Sequence, residues 1–273
     1  MRPTISRKAF LAGAGALALT SCSAPEAQEE EKVFRFGAET SYAAYNYSVP
    51  YYGRTCVPIE NVEGQYAEGY DIFFGKKVAN ALDAKAVAVK LSWDGLIPAL
   101  QEGTIDAIIA GMSETPERAE SVSFSSPYIE DSIGLMVMLG SPYIHSTSLA
   151  DFSFARVMGQ KGTLFDEVLN EIPNADIATP ADSMAGVFDA LLSGAVDAVS
   201  YPKMSESMYL KIHPEFVPIQ FAEGEGFSIK NPASIAVKKS NEDLLKVVEE
   251  VVSSTSDAER QELWDKALVN SPQ

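Results

Sequence analysis

The segment Gly111-Met112-Ser113-Glu114-Thr115-Pro116-Glu117-Arg118 sets an arginine at the start of a helix. Thr115 is a good N-cap and Pro116 suits the first helical position, so Arg118 falls at the third. A cation there meets the positive end of the helix dipole, at a penalty of only about 0.3–1 kcal/mol. Two readings are open. Arg118 is a solvated side chain, or an anion sits at the helix end, held by free backbone N–H groups, the Ser113 hydroxyl and a bidentate guanidinium. A carboxylate suits this geometry better than a phosphate, because no glycine-rich phosphate loop is present. Gly162-Thr163 precedes a second helix start, Leu164-Phe165-Asp166-Glu167. It reads either as a plain capped helix or as a turn where Gly162 admits a ligand close to the backbone. Tyr42 and Trp93 each follow a predicted strand, where an aromatic ring belongs to the core or stacks on a ligand. Glu39, between the first strand and Tyr42, is an ordinary surface glutamate or the partner of a cationic or amide group.

Other chemistry is poorly supported. His145 and His213 form no metal-spaced pair, and there is no HExxH helix, no Gly-x-Ser-x-Gly elbow and no credible nucleophilic cysteine. Glu39 could serve as a general acid or base in principle. The expectation is no catalytic residue, no metal and no cofactor. The formal charge of -17 repels nucleic acid and removes DNA or RNA as partners.

These side chains need elements to position them. Val33-Phe34-Arg35-Phe36-Gly37 reads as a strand, residues 42–69 as a loop rich in Tyr and Pro, 71–82 as a helix and 87–91 as a strand. A short helix over 93–100 leads to the buried strand Asp106-Ala107-Ile108-Ile109-Ala110-Gly111, and a further strand covers 133–139. The alternation repeats with a strand at 156–159, helices at 163–172 and 184–192, a strand at 197–200 and a late strand at 234–237. Two helices over 241–269 close the chain. Strands alternating with helices predict α/β lobes with mostly parallel sheets. Ligands in such folds bind at the carboxyl ends of the strands.

The first 21 residues read as an export signal: Arg2, Arg7 and Lys8 precede a short apolar stretch over 9–20 that ends in Leu19-Thr20-Ser21-Cys22. That string matches a lipobox, with Cys22 the lipidated residue. Removal of the signal makes the charge three units more negative. Residues 22–32 are polar and acidic, the composition of a flexible tether. Cys56 then lacks a partner, so no disulfide framework is expected.

The run from Tyr66 to Tyr128 resembles the family-3 extracellular solute-binding proteins, the polar amino-acid receptors of ABC importers. The resemblance rests on Gly69-Tyr70-Asp71, Trp93-Asp94-Gly95-Leu96-Ile97-Pro98-Ala99-Leu100, Gly103-Thr104-Ile105-Asp106, the Gly111–Arg118 segment and Phe124-Ser125-Ser126-Pro127-Tyr128. Weaker similarity covers most of residues 33–270. It implies a two-lobed periplasmic-binding-protein fold of type II with a ligand cleft between the lobes. Lobe 1 would span 33–138, with 227–273 returning to it, and lobe 2 would span 139–226. Strands near 133–139 and 226–237 would form the hinge. The resemblance further implies that Arg118 clamps a ligand carboxylate, assisted by Ser113 and the backbone at Gly111. Tyr42 and Trp93 would wall the ligand, Glu39 would face its distal group, and Thr163 and Leu164 would add donors from lobe 2. One departure stands out: Pro202, followed by Lys203, occupies the place of the acidic residue that usually holds the ligand's ammonium. Either Glu206 or Glu39 substitutes, or the ligand lacks an α-amine. The implied partners are a polar amino acid or related carboxylate, ABC permease subunits and the membrane through the N-terminal lipid, for a monomer on the extracytoplasmic side. A sensing or adhesive lipoprotein, or a cleft-based lyase, are the alternatives on the same fold.

Overall fold

The computed structural model describes residues 31–271. The signal, Cys22 and the tether up to residue 30 lie outside the described residues. Two five-stranded sheets organise the chain. The first runs Lys85–Lys90, Val33–Ala38, Ala107–Ile108, Ala233–Lys238, Val122–Ile129. Its first three strands are mutually parallel, whereas Ala233–Lys238 runs antiparallel to both of its neighbours. Ala107 and Ile109 pack on one face with Phe34, Phe36 and the helix Tyr70–Ala81. Ile108 and Ala110 pack on the other with Leu96, Leu100 and Ala236. Burial on both faces is why this stretch is apolar without alternation.

The second sheet runs Asp176–Ile177, Arg156–Met158, Ala198–Pro202, Ile133–Met138, Phe216–Pro218. Three strands are parallel and Ile133–Met138 is antiparallel to both of its neighbours. This corrects the expected lobe boundary. Residues 133–138 belong to the second lobe through five backbone pairings with Ala198–Pro202, whereas 233–238 belongs to the first. The chain therefore crosses between lobes near 130–132 and 229–232. Ser132 and Lys230 pair there as an antiparallel bridge. Asp131, 5% exposed, joins the parts at this crossing. Its carboxylate accepts hydrogen bonds from the Tyr45 hydroxyl (2.8 Å) and from the backbone N–H groups of Ser132 (2.6 Å) and Met204 (3.1 Å).

Two segments depart from the sequence reading. Residues 42–69 are not an unstructured loop but carry most of a small antiparallel sheet of Ser41–Tyr42, Asn46–Val49, Tyr66–Glu68 and Val57–Pro58. Strands of two to four residues are too short for periodicity to register. The sheet is tied by buried Asn46, whose side chain accepts from the Thr40 N–H (2.7 Å) and donates to Asp71 (2.7 Å). The strand Val122–Ile129, which carries Pro127, has no counterpart in the sequence reading. It lies at the sheet edge, and Pro127 sits beside a register shift, where a missing N–H is tolerated.

The helices Glu242–Ser254 and Asp257–Asn270 pack on the first lobe. The Trp264 ring meets Tyr45 and Tyr70 edge-on at 5.0 and 5.3 Å, and Arg260 donates to the Pro127 carbonyl at 2.8 Å. Cys56 is a buried thiol with no disulfide partner among the described residues, its pKa pushed up by burial and by the Glu68 carboxylate beside it.

Candidate functional site

Three loops of the first lobe leave the carboxyl ends of parallel strands: Glu39–Tyr42 after Val33–Ala38, Trp93 after Lys85–Lys90, and Gly111–Arg118 after Ala107–Ile108. The turn Gln160–Thr163 leaves Arg156–Met158 of the second lobe. They meet in one cavity lined by Glu39, Tyr42, Trp93, Gly111, Ser113, Arg118, Gln160, Thr163, Leu164, Phe165 and Asn231. All eight residues singled out from the sequence as ligand contacts are on this wall. The cavity measures about 10 Å³, roughly the volume one water centre requires, so the lobes are closed on each other.

Arg118 is 9% exposed. Thr115 caps its helix by accepting the Arg118 N–H at 3.2 Å, with Pro116 in the first turn. The guanidinium donates to the Ser113 carbonyl (2.7 Å) and, across the cleft, to the Gly162 carbonyl (2.8 Å). It lies 5.2 Å over the Trp93 ring. The Trp93 indole N–H donates to the same Gly162 carbonyl at 2.9 Å. No carboxylate lies within ion-pair distance of Arg118 among the described residues. Burial lowers its pKa, with Glu167 and Glu117 opposing. The solvated-arginine alternative is therefore removed: among the described residues the cation is buried and held by two backbone carbonyls and the Trp93 ring, with no carboxylate paired to it.

Glu39, 7% exposed, takes one hydrogen bond across the cleft, from the Gln160 side-chain amide at 3.0 Å. Burial pushes its pKa up to about 7; Gln160 opposes the shift and Asp71 and Asp94 add to it. Tyr42 stacks on Tyr45 with ring centres 4.5 Å apart, and its buried hydroxyl has no hydrogen-bond partner among the described residues. The Ser113 hydroxyl donates to Asn231 at 2.9 Å. On the second lobe, the Thr163 hydroxyl accepts from Phe165 N–H at 3.2 Å and donates to the Gln160 carbonyl at 2.7 Å, so the helix-capping reading holds for its side chain. The Gly111 N–H is donated to the Tyr128 hydroxyl at 3.0 Å, so this backbone donor already has a partner.

Gln160, Phe165 and Asn231 are wall residues that the sequence reading misses. Gln160 and Phe165 flank residues that it includes. Asn231 precedes Pro232 in the second crossing, a dipeptide that signals a turn, but nothing local places it beside Ser113. Glu206 does not line the cavity, since its carboxylate accepts the Tyr201 hydroxyl. Pro202 is buried at the end of its strand and is likewise not on the wall.

Comparison with known proteins bears on the same elements. The sequence profile of the bacterial extracellular solute-binding proteins, family 3, matches residues 52–268. The ABC transporter arginine-binding protein 1 of Escherichia coli (strain K12) is 27% identical over 218 residues, covering 76% of this chain and 86% of its own. The ABC transporter glutamine-binding protein GlnH of Bacillus subtilis (strain 168) is 30% identical over 219 residues, 78% of this chain and 77% of its own. A crystal structure of the substrate-binding protein of an amino acid ABC transporter superposes with a TM-score of 0.72 at 28% identity. It covers 86% of this chain and 98% of that one.

Proposed function

The chain belongs to the bacterial extracellular solute-binding proteins, family 3, and from that premise we propose that it captures a polar amino acid or related carboxylate in the interlobe cleft and delivers it to an ABC importer. The observation that carries this reading is Arg118. A buried guanidinium facing a closed cleft without a carboxylate partner among the described residues is a costly arrangement unless an anion is to complete it. A ligand carboxylate would pair with it, while Trp93 and Tyr42 cover the ligand's apolar surface and Glu39 with Gln160 receives its polar end. The two crossings near 130–132 and 229–232 let the lobes part for entry. A ligand touching both lobes favours the closed arrangement by the difference in its contacts with the two states.

In this proposal Cys22 carries a lipid that holds the protein at the extracytoplasmic face of the membrane, residues 22–32 act as the tether, and a monomer meets the permease. The relatives are binding proteins, which supports capture without turnover. The test is thermal unfolding against amino acids, their derivatives and amine-free carboxylates, with recovered ligand analysed chemically. A ligand at about 1,000 times its dissociation constant adds roughly 4 kcal/mol, several degrees for a domain of this size. Stabilisation by an amino acid recovered unchanged is the expected result. Conversion of the ligand would mean catalysis, and no stabilisation by any compound would defeat the proposal.

A further inference from the structure

The charges on the cavity wall narrow the ligand class, on the premise that this cleft is the ligand site. Among the described residues lining it, Arg118 is the one cation and Glu39 the one acid. Nearby carboxylates face elsewhere. Asp71 accepts from the Tyr128 hydroxyl and from Asn46, Asp131 from Tyr45 and two backbone N–H groups, and Glu206 from Tyr201. Asp94 is paired with Lys161 at 2.6 Å on the surface. Glu117 and Glu167 line a separate outer pocket with Arg118. Gln160, the only side chain hydrogen-bonded to Glu39 among the described residues, supplies a dipole and no charge.

We propose that the cleft accepts ligands bearing one carboxylate and one cationic group, and rejects both dibasic amino acids and carboxylates without a cation. The carboxylate meets Arg118 and the cation meets Glu39, displacing or sharing the Gln160 amide. Both readings of the Pro202 position meet here. A neutral zwitterionic amino acid would bring its α-ammonium to Glu39, and an acid without an α-amine would bring a distal ammonium or guanidinium. A second ligand cation would enter a closed cavity with no counter-charge, and a ligand with none would leave Glu39 ionised and unpaired; either is expensive in a water-excluded site. The burial that holds the Glu39 carboxyl near neutrality agrees with a group awaiting such a partner.

Calorimetric titration at pH 8 tests this with four sets of probes. They are the neutral L-amino acids; ω-amino and ω-guanidino acids lacking an α-amine; L-arginine, L-lysine and L-ornithine; and simple carboxylates such as pentanoate. The best binder is expected in the first two sets, with every member of the last two weaker by at least about tenfold, a difference of about 1.4 kcal/mol. Glu39→Gln is expected to weaken that best binder. Gln160→Glu, which adds a second acid to the wall, is expected to improve L-arginine relative to the unaltered protein. If arginine, lysine, ornithine or a simple carboxylate binds the unaltered protein as tightly as the best single-cation ligand, the charge-matching inference fails while ligand capture stands. Binding by no member of any set overturns both.

Discussion

Replacing Glu39 by glutamine separates the charge of this residue from its shape. The carboxyl group is ordinarily at 4.5 and is raised by burial to about 7 in the folded protein. Folding therefore favours its protonated form. Below about pH 4.5 the residue is protonated in both states and carries no penalty. As the pH rises toward 7 the unfolded chain ionises first, and stability falls. Above 7 the folded carboxylate is ionised as well and the loss levels off near 3 kcal/mol, about 1.4 kcal/mol for each unit of displacement. The amide introduced by Glu39→Gln would keep an oxygen to accept the Gln160 N–H and would carry no charge. The variant should thus match the parent near pH 4.5 and exceed it by up to about 3 kcal/mol at pH 8, several degrees in the unfolding midpoint. Asp71, raised to about 6 by burial, slopes both curves in the same direction, and since its charge adds to the Glu39 shift, its part in the difference is the repulsion between the two carboxylates. Thermal unfolding of both proteins from pH 4.5 to 8.5 without ligand is the assay. Parallel curves would show that Glu39 is not desolvated in the ligand-free protein and would remove its role as a cation partner. The same displacement predicts that a cation-bearing ligand releases about half a proton on binding at pH 7, which titration in buffers of differing ionisation enthalpy measures directly.

Arg118→Ala should weaken ligand binding by about 2–5 kcal/mol, the cost of losing one partner of a buried charge pair, while unfolding remains cooperative. Binding within threefold of the parent would exclude the carboxylate clamp. Trp93→Phe removes the indole N–H that crosses to Gly162 but keeps an aromatic wall; a loss of about 1 kcal/mol in affinity is expected, with little change in the spectrum of ligands bound. Gly111 has φ +64°, and a Cβ there would lie 2.9 Å from the Tyr42 ring. Gly111→Ala should therefore cost roughly 1–3 kcal/mol of stability and impair binding by shifting Tyr42, both read from denaturant unfolding and calorimetry. Lys161→Ala breaks an exposed pair with Asp94 and should alter stability by less than about 1 kcal/mol; a larger fall would assign that pair a role in holding the lobes together.

Local chemistry already determined much of this protein. The doubly buried apolar run at 107–110, whose first two residues form the strand Ala107–Ile108, the Thr115-Pro116 helix start and the Thr163 cap follow from nearest-neighbour rules, since caps and apolar runs are settled within a few residues. Eight of the eleven cavity residues were legible too, because strand ends carry site loops in α/β folds and the ordered motifs resemble one family. Short range is also where that reading stops. Strands of two to four residues in 41–68 have no period to detect, and a proline-bearing edge strand gives no strand signal until its neighbour is known. The lobe to which 133–138 belongs depends on pairing with Ala198–Pro202, more than sixty residues away. That Arg118 is buried, that Gly162 bridges it to Trp93, and that Gln160 faces Glu39 across 121 positions of chain are consequences of closing one lobe on the other. The charge balance of the cavity was likewise undecided in sequence. Which acids face the cleft and which turn to tyrosines and backbone N–H groups is set by packing between distant segments, and no local pattern of residues encodes it.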